Sequence, residues 1–132
     1  MNHWIFVIKD DEVVFDLRIK EKKWPIYPGT KFQKYLKIGD IIVFYRAGQH
    51  GQYFLGTALV NSKVKSIAGK IDLHIDIDKI GVWKERPSIR KILSQLSFIK
   101  NINYWGLNFQ GGVLKIKEKD YSVILKQVKK TV

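Results

Sequence analysis

Apolar and polar positions alternate along this chain with two different periods, and the change between them divides it into elements. Trp4-Ile-Phe-Val-Ile8 is a short unbroken apolar run rich in β-formers, the pattern of a strand buried on both faces. Ile41-Ile-Val-Phe-Tyr45 is a second such run, opened by the turn Lys37-Ile-Gly-Asp40. The stretch from Ala47 to Gln52 carries two glycines and predicts a hairpin connection, with Tyr53 to Val60 returning as the partner strand. Gly56 inside that strand predicts a bulge or a close backbone approach. From Lys70 to Ile80 the alternation is strict: Ile71, Leu73, Ile75 and Ile77 point one way, Asp72, His74, Asp76 and Asp78 the other.

Elsewhere the period lengthens. Ser88 is placed to cap a helix carrying Ile89, Ile92, Leu93 and Leu96 at helical spacing. Tyr104 to Phe109 and Val113 to Ile116, joined through Gly111-Gly112, read as two more short strands. Glu118 to Lys130 reads as an amphipathic helix turning Tyr121, Ile124, Leu125 and Val128 to the core. Asp10 to Leu17 is ambiguous between a capped helical turn and an irregular crossing. Lys20 to Lys34, punctuated by Pro25, Pro28 and Gly29, predicts no regular element. The sum is an α+β domain spanning residues 1–132, a mixed β-barrel of five to six strands with helices at its rim. Ile41, Val43, Leu55, Ala58, Ile75 and Ile77 are expected in or near one core.

Charge adds a partner to this picture. The chain has 24 Lys and Arg against 12 Asp and Glu, a formal charge of +12. An excess of that size points to a polyanion, with nucleic acid ahead of an anionic membrane surface. It is also uneven: Asp10, Asp11, Glu12 and Asp16 crowd the first segment, whereas Arg18, Lys20, Lys22, Lys23, Lys31, Lys34 and Lys37 follow against Glu21 alone. Cysteine is absent, which excludes disulfides, thiolate zinc sites and thiol nucleophiles. No apolar run approaches the length of a membrane span and the first residues lack a signal peptide's charged lead, so the expectation is a soluble, cytoplasmic protein.

Catalytic chemistry finds little support. The Asp72, His74, Asp76, Asp78 face has metal-compatible ligands, but alternate residues of a strand lie about 6.6–6.8 Å apart, too far for all four to converge on one ion. It reads instead as a solvated face whose charges discourage edge pairing. No nucleophile-elbow spacing and no glycine-rich phosphate loop occurs, and no cofactor, metal or catalytic residue is expected.

Four blocks in order, His3-Trp-Ile-Phe-Val7, Leu36-Lys-Ile-Gly-Asp-Ile-Ile-Val-Phe-Tyr45, Phe54-Leu-Gly-Thr-Ala58 and Leu96-Ser-Phe-Ile-Lys-Asn101 with Trp105-Gly106, resemble the EVE domain family. The last block continues through Gly112 and Glu118-Lys-Asp-Tyr121 and is the most specific. The resemblance implies a PUA-like barrel related to YTH domains, which hold a methylated base in an aromatic cage. It also implies recognition of a modified base, flipped from DNA or presented in RNA, with a restriction motor or nuclease as a further partner, and the expectation here is DNA ahead of RNA. An RNA-reading module and a small hydrolase of the same fold are the alternatives.

Trp24, in the proline-bounded basic loop, is the first candidate for a cage wall, because an aromatic face can hold one unstacked base. Tyr27 lies three residues on. The resemblance puts the second wall near Trp83, with Ile77 the competing register. Tyr104, Trp105 and Asn101 complete the candidate pocket. Trp4 reads as core, Trp105 also suits packing of a helix on the barrel, and Asn101 and Asn108 suit either base reading or helix termination. Lys20, Lys22, Lys23, Lys31 and Lys34 beside Trp24, and Arg86, Arg90 and Lys91 beside Trp83, are the candidate phosphate contacts.

Overall fold

The computed structural model describes residues 1–9, 12–26, 35–48, 51–66, 73–109 and 112–129. Strand β1 (His3–Ile8) opens the sheet in chain order. All six residues are buried because β1 is paired on both edges and packed on both faces. It runs parallel to β3 (Ile41–Arg46) in register His3↔Ile41 and antiparallel to β7 (Val113–Ile116) in register His3↔Ile116. Between β1 and β3 the chain forms helix α1 (Glu12–Glu21) and strand β2 (Lys23–Ile26). Beyond β3 come β4 (Tyr53–Val60), the two-residue β5 (Lys65–Ser66) and β6 (Leu73–Val82). The strand order β2-β6-β4-β3-β1-β7, with β5 also on β6, makes a curled mixed sheet, a half-barrel of the α+β class expected. Helix α2 (Glu118–Lys129) follows β7.

Two apolar clusters form, one on each face of the sheet. Trp4, Phe6 and Ile8 of β1 join Phe15 of α1, Trp24 of β2, Phe44, Leu55, Ala58, Ile75 and Ile77 in the first. Ile5 and Val7 join Val43, Tyr45, Phe54, Ile89, Ile92, Leu96, Phe109 and Ile124 in the second. The period of two along β1 produces this division. It corrects the expectation of one shared core, since Val43 belongs to the second face and Ile41 is only partly buried.

Gly56 meets its expectation. A Cβ there would stand 2.1 Å from the Gly81 carbonyl oxygen, and the β3–β4 register shifts beside it, between Phe44 and Tyr45. Three other readings are corrected. Lys23–Ile26 is a strand despite Pro25, which stands opposite His74 of β6; β2 is an edge strand, where a missing N–H leaves no ladder broken on the outer side. The Ser88 region forms two 3-10 turns, Ile89–Lys91 and Leu93–Gln95, in place of one α-helix, with the Ser88 hydroxyl oxygen accepting from Arg90 N–H at 3.2 Å. Ile92, at φ −127°, interrupts the helix, yet Ile89 and Ile92 are buried, a spacing of three that serves a 3-10 turn equally well. Residues 102–109 are likewise 3-10 rather than strand, kinked at Tyr104. Their aromatic content earned the strand reading, but β-propensity expresses packing against neighbours, and β1 is the partner of β7.

Two buried carboxylates fasten the chain. Asp40, 3% exposed, accepts from the backbone N–H of Asn2 and Lys37, each at 3.0 Å, and from Trp4 Nε1 at 2.9 Å. Gly39, at φ +93°, makes the turn that delivers it. Asp120, in the first turn of α2, accepts from Ser97 N at 2.7 Å and Ser97 Oγ at 2.6 Å, tying the helix to the 3-10 segment. No helix among the described residues is long and apolar enough to cross a membrane.

Candidate nucleic-acid interface

Trp24 enters β2 opposite Ile75, and that register turns its indole inward. The ring is 2% exposed, with Phe44 at 4.8 Å, Phe6 at 6.0 Å and Phe15 at 6.1 Å between ring centroids. The Arg18 guanidinium, from the second half of α1, lies 4.7 Å from its ring centroid. Trp24 is therefore part of the first core cluster, covered by an arginine, rather than an open wall. Ile77, 1% exposed, shares that cluster.

Trp83 does not. It packs with Trp105 against the second cluster, so a cage walled by Trp24 and Trp83 is not what the fold builds: the sheet lies between them. The reason is the parity of β6, whose inward Ile75 and Ile77 face Trp24 while the chain beyond Val82 turns to the other side, Trp83 N–H donating to the Leu55 carbonyl at 2.9 Å. Trp105 stands edge-on to Phe109 at 6.2 Å, and the Arg90 guanidinium lies 5.6 Å from its ring centroid. Tyr104 is 66% exposed. Asn101 is exposed, and its Oδ1 accepts from Asn103 N–H at 3.0 Å, a local turn contact. Tyr27, Lys31 and Lys34 lie outside the described residues.

The candidate phosphate ligands also divide. Lys20, Lys22 and Lys91 are exposed. Lys23 Nζ donates to Asp76 at 3.1 Å and Lys65 Nζ donates to its other oxygen at 2.7 Å, so Asp76 of the acidic strand face is paired from within the sheet. These lysines, Lys65 first, hold the Asp76 carboxyl below its ordinary range. Arg90 Nε donates to Gln52 Oε1 at 2.7 Å on the Trp105 side.

Arg86 goes the other way, to a cluster the sequence reading did not assemble. Arg46 and Tyr53 are cross-strand partners at the turn end of the β3–β4 hairpin, and Arg46 Nη1 donates to the Tyr53 hydroxyl at 2.7 Å. That hydroxyl donates to Oε1 of Glu12, the first residue of α1, at 2.8 Å. Arg86 Nη1 donates to the same oxygen, and Arg46 Nη1 lies 3.5 Å from it. The guanidinium carbons of Arg46 and Arg86 stand 5.9 and 5.8 Å from the Tyr53 ring centroid. The Tyr53 hydrogen bond, then the two arginines, hold the Glu12 carboxyl below its ordinary range. Only the Arg46–Tyr53 pairing was legible beforehand, as facing positions of a predicted hairpin. Among the described residues no group of three or more His, Cys, Asp and Glu could hold a metal ion.

No known protein-family profile matches the chain. Over 47 residues it is 43% identical to the UPF0310 protein in gntR 5'region of Bacillus licheniformis, a stretch covering 36% of this chain and 31% of that protein. Solved structures match over nearly the full length. A hypothetical protein from Leishmania major superposes with a TM-score of 0.75 at 14% identity, covering 99% of this chain and 96% of that one. Human THYN1, solved in complex with 5-methylcytosine-containing DNA, gives 0.70 at 12% identity, covering 98% of each. The YTH domain of Zygosaccharomyces rouxii MRB1, solved with N6-methyladenosine RNA, gives 0.64 at 16% identity, covering 96% of this chain and 86% of that one. At such identities the likeness establishes the fold.

Proposed function

We propose that this chain is a non-enzymatic binding module that reads a methylated base in nucleic acid, DNA in preference to RNA, as members of the EVE domain family are understood to do. The observation that carries the reading is fold likeness over the whole chain to two domains solved with methylated nucleic acid, on a chain whose formal charge is +12. The base stacks on the Trp24 indole once the Arg18 guanidinium, 4.7 Å from the ring centroid, gives way to it. Stacking there contributes about 1–3 kcal/mol per base, and the added methyl about 0.8 kcal/mol. Extruding a base from a duplex costs a few kcal/mol, so cationic contacts to the backbone make up the difference. Arg86, Arg90, Lys20, Lys22 and Lys91 supply them, and a restriction motor or nuclease partner would act on the sensed strand.

Equilibrium binding to four oligonucleotides tests this: DNA with and without 5-methylcytosine, and RNA with and without N6-methyladenosine. The expected result is at least a fivefold preference for a methylated strand, within the range one stacking contact supplies. Trp24→Phe, which keeps an aromatic in the core, should shrink that preference while leaving unmodified binding unchanged. Equal affinity for methylated and unmethylated strands of both kinds would overturn the reading, and the preferred sugar decides between DNA and RNA.

A further inference from the structure

Three donors converge on a single carboxylate oxygen at the rim of the sheet. The Tyr53 hydroxyl, Arg86 Nη1 and Arg46 Nη1 all engage Glu12 Oε1, so among the described residues two cations face one anion and the cluster keeps a net positive charge. Arg46 Nε, on the same guanidinium, is buried with no hydrogen-bond partner. A planar carboxylate engaged through one oxygen thus leaves both the charge and the donor set of this cluster incompletely met. The Glu12 side chain is 40% exposed and the two arginines 18% and 25%, so the cluster is reached from solvent without disturbing either core.

We infer that Arg46, Arg86 and the Tyr53 hydroxyl form a seat for one backbone phosphate of a bound nucleic acid, held in the free protein by the Glu12 carboxylate as an internal stand-in that the phosphate displaces. The inference rests on the nucleic-acid reading above but not on base recognition. A tetrahedral phosphate group offers oxygens in more than one direction, and guanidinium groups hold it through paired N–H donors. Glu12 is displaceable because its side chain, 40% exposed, stays open to water and salt, which screen the pair. The seat and the covered indole share one support. Glu12 begins α1 and Arg18 follows in its second half, about 9 Å along the helix at 1.5 Å per residue, so displacing Glu12 acts on the element that also covers Trp24.

Binding of an unmodified fluorescein-labelled oligothymidylate, titrated against salt, tests the seat independently of any methyl group. Glu12→Gln should tighten binding roughly two- to fivefold, the release of one exposed ion pair. Glu21→Gln, which removes the same charge from the exposed end of α1, should tighten it less. Arg86→Gln should weaken binding, lower the salt slope by about one unit and abolish the gain from Glu12→Gln in the double variant. Thermal melts establish that each variant is folded, and Glu12→Asp, too short to reach the arginines, substitutes if the glutamine variant is not. A folded Glu12→Gln protein that binds no tighter than Glu21→Gln, or whose gain survives Arg86→Gln, overturns the inference. In a second arm, inorganic phosphate is added while the arginine Nε–Hε NMR signals are followed. Displacement of phosphate from Arg46 and Arg86 by the oligothymidylate supports the backbone as the source. Phosphate binding that the oligothymidylate does not reverse assigns the seat to free phosphate and overturns it. Loss of methyl preference with these results intact would defeat only the base-reading proposal.

Discussion

Asp40 accepts three hydrogen bonds and Glu12 accepts two beside an ion pair with Arg46, yet the two carboxylates do opposite things. Asp40 is closed in, and its donors are two backbone N–H groups and an indole N–H that β1 and the Lys37–Asp40 turn hold in fixed positions. Glu12 stands at the rim and meets one phenol and two long, charged side chains. Fixed neutral donors around a buried acceptor make a fastening, because nothing from solvent can replace the acceptor without leaving donors unmet. Cationic side chains around an exposed acceptor make an exchangeable site, because any suitable oxyanion satisfies them equally well. The motif Lys37-Ile-Gly-Asp40 is thus a folding device, whereas the proposed phosphate seat is built from residues with no motif at all.

The largest expected effect breaks the fastening. Asp40→Ala leaves three buried or half-buried donors unmet and should cost about 3–5 kcal/mol, each such donor being worth about 1–3. The check is a fall in Tm of more than about 10 °C. Gly56→Ala comes next, because its methyl would meet the Gly81 carbonyl oxygen; a loss of about 2 kcal/mol or more by urea denaturation is expected. Lys20, Lys22 and Lys23 converted together to glutamine should weaken all nucleic acids about equally. Since Lys23 is already engaged by Asp76, the salt slope should fall by about two units rather than three, and an unchanged slope would move the electrostatic footprint elsewhere.

The smallest effect sharpens the exchangeable side of the comparison. Glu12→Gln should change stability by less than about 1 kcal/mol, far below Asp40→Ala. Its pH dependence has a defined sign: the folded pKa lies below the ordinary 4.5, so the contribution of Glu12 is fully present above that value and is lost as pH falls through the depressed one. Asp76, lowered from 3.8 by Lys65 and Lys23, behaves with the same sign. Carboxyl carbon NMR titrations of the two residues check both, and a Glu12 midpoint at or above 4.5 would deny it the arginines.

What the sequence determined by itself was whatever repeats locally. The apolar runs of β1 and β3, the alternation of β6, the close approach at Gly56 and the amphipathic α2 all follow from period and turn chemistry, and with the block order they suffice for the half-barrel. Trp24 marks where that ends. Its lysine-flanked, proline-bounded context suggests an exposed loop, but pairing with β6 turns it into the core, because burial depends on which strand lies alongside and not on the neighbours in sequence. The parity that separates Trp24 from Trp83 is likewise a property of the folded sheet. So is the rim: Tyr53 and Arg86 reach Glu12 across 41 and 74 residues of chain, separations over which no local pattern acts, and only the closing of α1 onto the hairpin brings them to one oxygen.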